Sequence, residues 1–95
     1  LSEKTKVPVA KRVLYTGRVQ GVGFRYTVLN LSKNFKLAGT VRNCIDGSVE
    51  LIAQGEPDQV EGFLAAIAKH MGDYIADQNV QDAMIADLQG FHIIR

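Results

Sequence analysis

β-Branched and aromatic residues dominate positions 12–19 (RVLYTGRV), and the run passes directly into Gln20, Gly21, Val22 and Gly23. This pattern predicts a strand that ends in a glycine loop. Phe24, Val28, Leu31 and Phe35 then recur at spacings of four, three and four, the stripe of a helix that packs by one face. The loop therefore feeds a helix N-terminus. Residues 39–45 (GTVRNCI) predict a second strand, Asp46-Gly47 is a hairpin signal, and residues 48–54 (SVELIAQ) alternate as a third strand. Strands joined so tightly pair antiparallel. Glu56, Pro57 and Asp58 place acids and a proline at a helix start, and Val60, Phe63, Leu64, Ile67 and Met71 carry a second helical stripe to Gly72. Beyond it, residues 73–79 read as loop, 80–86 as a strand and 91–95 (FHIIR) as a terminal strand.

The predicted order is β-α-β-β-α-β with room for one further strand, an α+β fold. It is the split βαβ arrangement, in which two helices cover one face of a mainly antiparallel sheet. Residues 1–9 (LSEKTKVPV) lack periodicity and are expected to form a flexible N-terminal tail, leaving 10–95 as one domain. A first residue of Leu rather than Met suggests processing or a trimmed chain.

A chain of 95 residues with 46% hydrophobic and 22% charged composition fits one small domain and leaves no room for a second catalytic one. No apolar stretch approaches the roughly 18 to 20 residues of a membrane-spanning helix, and no basic segment leads into an apolar signal core. Cys44 is the sole cysteine, so neither an internal disulfide nor a thiolate zinc cluster is available, and a reducing cytoplasm is expected. The formal net charge of +1 conceals asymmetry. Residues 1–42 carry nine Lys and Arg against Glu3 alone (+8), and residues 43–95 carry Lys69 and Arg95 against nine Asp and Glu (−7). In one small sheet the halves interleave, so a folded dipole is expected rather than a nucleic-acid surface.

The chemistry concentrates in residues 17–25 (GRVQGVGFR). The run is not a Rossmann fingerprint, since GxGxxG from Gly21 requires glycine where Tyr26 stands, and there is no GxxxxGK[ST]. Gly21 and Gly23 permit backbone N–H groups to converge without Cβ obstruction, directly before a helix terminus that favours an anion. Arg25 adds a planar guanidinium able to bond two phosphate oxygens. The spacing suits a small phosphate-bearing anion; it also suits a tight turn with an ion-paired surface arginine. Asn43 could hold a water through its amide, or serve as a turn residue before Asp46-Gly47. His70 and His92 lack companions for a metal site and read as surface residues. Cys44 reads as a packed thiol on the strand face opposite Asn43. Phe24 and Tyr26 lack the aromatic string of an RNA-binding sheet, and Phe24 reads as core.

With GRVQGVGFR followed, eighteen residues after its arginine, by Asn43 in GTVRN and then by DGSVE, the chain resembles the acylphosphatase family from about Tyr15 to Gly55. These are small cytoplasmic enzymes that hydrolyse the carboxyl-phosphate bond. The resemblance implies a ferredoxin-like α/β sandwich. It implies a phosphate loop of Gln20, Gly21, Val22, Gly23 and Phe24 with Arg25 as phosphate-binding arginine, and Asn43 as the residue that orients the attacking water. Arg25 and Asn43 are thus the expected catalytic pair, with no metal and no cofactor. The implied partners are a small-molecule acyl phosphate and inorganic phosphate, with no nucleic acid or membrane, and the chain is expected to act as a monomer. The alternative is a non-catalytic phosphate-binding or regulatory module, which has no use for a water-orienting amide. Two departures stand out. The family usually has glycine where Lys36 stands, and a left-handed Lys36 would cost about 1 kcal/mol relative to glycine. The family also tends to Gly-Pro after the second helix, where this chain has Gly72, Asp73 and Tyr74.

Overall fold

The computed structural model describes residues 7–95. Its elements run β1 (Val9–Gly17), α1 (Phe24–Ser32), β2 (Leu37–Asn43), β3 (Val49–Gly55), α2 (Pro57–Met71), a 3-10 turn (Gly72–Tyr74), β4 (Ile75–Ala83) and β5 (Phe91–Ile93). The strands form one five-stranded sheet in the order β4-β1-β3-β2-β5. All pairs are antiparallel except β2 with β5. The expected split α+β arrangement is present, with β5 as the further strand.

Residues 1–6 of the expected tail lie outside the described residues, and β1 begins within the rest of it: Val9 pairs with Gly55. Alternation along the central strands decides what each face does. Val13 and Tyr15 on β1, Val41 on β2, and Val49, Leu51 and Ala53 on β3 are buried beneath the helices. They pack with Phe24 and Val28 of α1 and with Val60, Phe63 and Ile67 of α2. Each fully buried Val, Leu, Ile or Phe contributes about 1.5–3 kcal/mol, so this layer is the main source of stability.

The α1 stripe is broken by its last member. The helix ends at Ser32, where Ser32 Oγ donates to Leu29 O at 2.6 Å, and Asn34 and Phe35 donate to Leu31 O and Ser32 O at 3.0 and 3.1 Å. These tight i to i+3 bonds end the helix without a left-handed residue. Phe35, beyond the helix, still reaches the core, its ring 5.8 Å from that of Phe63. The expectation of a left-handed Lys36 is therefore corrected: no described non-glycine residue has positive φ, and the Lys36 N–H donates to Gln59 Oε1 of α2 at 2.8 Å.

The segment after α2 also differs from expectation. The loop expected over 73–79 is a 3-10 turn followed by most of β4, and the strand expected over 80–86 ends at Ala83. β4 is an edge strand whose residues are nearly all exposed, so its backbone ladder to β1 leaves no apolar alternation to read. The chain then passes from one edge of the sheet to the other. Gln54 holds it on the way, donating through Nε2 to Ala86 O and accepting from Ala86 N–H through Oε1, both at 2.8 Å. The Gly39 N–H meets Gly90 O at 2.9 Å as β5 joins β2.

On the helix-free face, Glu50 accepts from Arg12 Nε at 2.6 Å and Arg42 Nε at 2.8 Å. Burial pushes the Glu50 carboxyl up, but hydrogen bonds and charge from Arg42 and Arg12 outweigh burial and hold it below the usual glutamate value. A lowered folded pKa stabilises the native state fully above the unfolded value, and that contribution is lost as pH falls through the folded one. Glu50→Gln should therefore lower Tm by a few degrees near neutral pH. Calorimetry should show the gap to wild type shrinking as pH drops below 4.5, the ordinary glutamate value. A gap that widens in acid contradicts this assignment.

Candidate active site

Beyond β1 the chain is held before it turns. The Arg18 N–H donates to Tyr74 O at 2.9 Å, and Val19 is buried. Gly21 and Gly23 then adopt φ of 79° and 77°. A Cβ at either position would meet nothing within 4 Å. Their role is thus backbone conformation, which corrects the expectation that they relieve Cβ obstruction. Left-handed residues in alternation turn successive N–H groups toward one concavity, the arrangement of anion-binding nests.

Gly23 is also the N-cap of α1 and provides no side-chain cap. The first bond into the helix is Thr27 N–H to Gly23 O at 3.0 Å. Among the described residues, no backbone N–H from Gln20 to Tyr26 finds a protein acceptor. Phe24, the first helical residue, is buried, with its ring centroid 5.2 Å from that of Tyr15. Val22 packs at the edge of the same core. Arg25 follows in the first turn of α1, which contains no acidic residue. It is half-buried and forms no ion pair or side-chain hydrogen bond among the described residues. The surface ion pair that the spacing also allowed is absent there.

Asn43 is the last residue of β2. It pairs with Val49, and Val49 pairs with Tyr15, so its side chain shares the helix-bearing face with Tyr15. Its Oδ1 is buried without a hydrogen-bond partner among the described residues. The next residues form a turn closed by Gly47 N–H to Cys44 O at 3.1 Å and Cys44 N–H to Ser48 O at 2.8 Å. Gly47 is left-handed at φ 95°, whereas Asp46 is not, so the tight turn spans residues 44–47 and does not centre on Asp46-Gly47. Asp46 Oδ1 accepts from the Ser48 hydroxyl at 2.6 Å and from the Ser48 N–H at 3.0 Å, and these bonds hold its carboxyl below the ordinary value.

The glycine loop and the Asn43 hairpin meet through Gln20. Its Nε2 donates to Cys44 O and to Ser48 O, each at 2.8 Å. Sequence reasoning placed Gln20 in the loop but missed this tie, because a contact across 24 residues has no periodic signature. Arg25 and Asn43 share no side-chain hydrogen bond among the described residues; Arg25 stands in the first turn of α1 and Asn43 at the end of β2. Cys44 is a free, half-buried thiol beyond the end of β2, so strand alternation does not assign it a face. His70 and His92 are exposed, each bonded to a nearby carbonyl, and no metal-binding group of three or more His, Cys, Asp or Glu exists among the described residues.

The acylphosphatase family model matches residues 11–93. The chain belongs to the acylphosphatase family. An acylphosphatase of Lacticaseibacillus paracasei is 34% identical over 85 residues, covering 90% of this chain and 91% of that protein. One from Bifidobacterium longum is 48% identical over 60 residues, covering 63% of this chain and 62% of that protein. The crystal structure of the Bacillus subtilis acylphosphatase superposes with a TM-score of 0.82 at 32% identity, covering 92% of this chain and 99% of that one. In this acylphosphatase-family chain, the loop conformation carries a direct test. Gly21→Ala and Gly23→Ala each force an L-residue into positive φ where space is open, so each should lose about 1 kcal/mol in denaturant unfolding. A stabilised variant would show that the loop is not left-handed there.

Proposed function

We infer that the chain hydrolyses small acyl phosphates to a carboxylate and inorganic phosphate, with the loop from Gln20 to Phe24, Arg25 and Asn43 as its site. Membership of the acylphosphatase family supports the reaction. The observation that carries the residue assignment is the run of backbone N–H groups from Gln20 to Tyr26, which has no acceptor among the described residues, beside an Arg25 with no ion pair among those residues.

An acyl phosphate is a mixed anhydride whose carboxylate leaves without protonation, so the reaction needs charge stabilisation and a positioned water. The loop N–H groups, the α1 terminus and Arg25 hold the phosphoryl oxygens and neutralise charge as the bond to the acyl oxygen breaks. Asn43 Oδ1, buried and free to accept, takes a hydrogen bond from the water and aims it in line with that bond. The water oxygen bonds to phosphorus, the bonding pair leaves with the carboxylate, and the water's proton passes to a phosphoryl oxygen. All of these groups come from one chain, which supports a monomer. Among the described residues no helix is long and apolar enough to cross a membrane, and the single cysteine suits a cytoplasmic setting.

Purified protein should hydrolyse benzoyl phosphate and be indifferent to EDTA. Arg25→Ala should lower kcat/KM by roughly 10²- to 10³-fold and abolish inhibition by inorganic phosphate, and Arg25→Lys should recover little because a point charge cannot replace two aligned donors. Asn43→Ala should lower kcat by roughly 10²-fold while phosphate inhibition persists. Asn43→Asp should do no better, since its charge repels the bound phosphate. Phosphate binding without turnover in the wild type would make the chain a binding module. An aspartate variant as active as wild type would overturn the water-orienting role.

A further inference from the structure

Gln20 commits its amide nitrogen to the hairpin rather than to the concavity of the loop. Its two acceptors, Cys44 O and Ser48 O, are the carbonyls that also close the turn, receiving the Gly47 and Cys44 N–H groups. The Cys44–Ser48 pair is the first step beyond Asn43–Val49, the last pair of the β2–β3 ladder. The amide therefore grips the hairpin one residue after Asn43. A primary amide suits this place because it offers two N–H donors without charge. A carboxylate would face two carbonyl oxygens with nothing to donate, and asparagine is one methylene short.

We propose that Gln20 is a positioning residue for hydrolysis, whose side chain holds Asn43 in register with the phosphate loop. The proposal rests on the hydrolytic reading above. The loop has two other anchors, the Arg18 N–H on Tyr74 O and the buried Phe24 ring on Tyr15. Neither of these reaches the hairpin turn. Loss of the Gln20 amide thus leaves the loop able to hold phosphate but frees Asn43 to shift relative to it. Small misplacements of a nucleophile are costly because the attacking atom must lie in line.

A double-mutant cycle with Gln20→Met and Asn43→Ala tests this, using benzoyl phosphate as substrate and inorganic phosphate as inhibitor. Gln20→Met should lower kcat by roughly 10- to 100-fold and change phosphate inhibition by no more than about twofold. In the Asn43→Ala background the same change should cost less than about threefold in kcat, since nothing remains to be positioned. Gln20→Asn, with its shorter amide, should behave as methionine does and provides a second route if Gln20→Met folds poorly. Hydrogen exchange gives a readout independent of turnover: the Cys44 and Gly47 amides should exchange faster in both variants while those of α2 keep their protection. Losses that multiply in the double mutant, phosphate inhibition that weakens together with kcat, or unaltered exchange at the turn would each overturn the proposal in an active enzyme. A wild-type protein without turnover would instead fail the hydrolytic reading itself, and the positioning role with it.

Discussion

The contact between Tyr15 and Phe24 fixes where α1 begins. Both rings are buried, with centroids 5.2 Å apart, and they join the end of a central strand to the first residue of a helix. Tyr15 belongs to the cross-strand row Tyr15, Val49, Asn43, so the same buried ring sets the level at which Asn43 stands. Burial raises the Tyr15 phenol and keeps it neutral, as a group at the centre of an apolar cluster must be. Between the two aromatic residues, the chain has to leave the strand, reverse and enter a helix. The left-handed glycines make that turn short, and a short turn leaves its N–H groups facing outward instead of pairing internally. The run of N–H groups left without an acceptor among the described residues is therefore a consequence of how the core holds its two ends.

Electrostatics separates the structural arginines from the candidate functional one. Arg42 and Asn43 are neighbours in sequence, yet strand alternation sends them to opposite faces of the sheet. Arg42 joins Arg12 around Glu50 on the helix-free face, where its charge is balanced. Asn43 turns toward the helices, where its Oδ1 is left without a donor among the described residues. Arg25, at the N-terminal end of α1, has no carboxylate partner among the described residues. A guanidinium beside the positive end of a helix dipole gains nothing from the helix itself, so its location favours an external anion over an internal counter-charge. The basic half of the sequence is thus not a uniform surface.

The legible features were those with a local cause. The glycine loop before an apolar stripe predicted the strand, turn and helix that carry Gln20 to Arg25, because glycine spacing and helical period act over few residues. The second helix was equally legible from Pro57 and the stripe from Val60 to Met71. β4 was not, because an exposed edge strand is held by its ladder to β1 and needs no buried alternate residues. The α1 terminus misled for a related reason: Lys36 needed glycine only if the helix ended by a left-handed cap, and tight i to i+3 bonds together with Gln59 on α2 remove that need. As for the site, Arg25 and Asn43 were picked out by residue type and by family resemblance. The tie that brings their segments together, Gln20 on the hairpin, depends on tertiary structure and has no counterpart in local pattern.

The distribution of unsatisfied polar groups explains how such a site persists in a small domain. Gly21 and Gly23 are exposed, so the loop N–H groups there can be solvated and cost the native state little. Asn43 Oδ1 is different, since a buried acceptor without a partner costs about 1–3 kcal/mol. In a domain whose net stability is typically about 5–15 kcal/mol, that is a large local penalty, and it falls on one atom. The sheet and helix layer can absorb it because Tyr15, Leu51, Phe63 and Ile67 are all fully buried around the same row of strands. Rigidity from that core then serves the site twice. It tolerates an oxygen that no group among the described residues satisfies, and it fixes that oxygen at the end of β2, one residue before the turn that Gln20 grips.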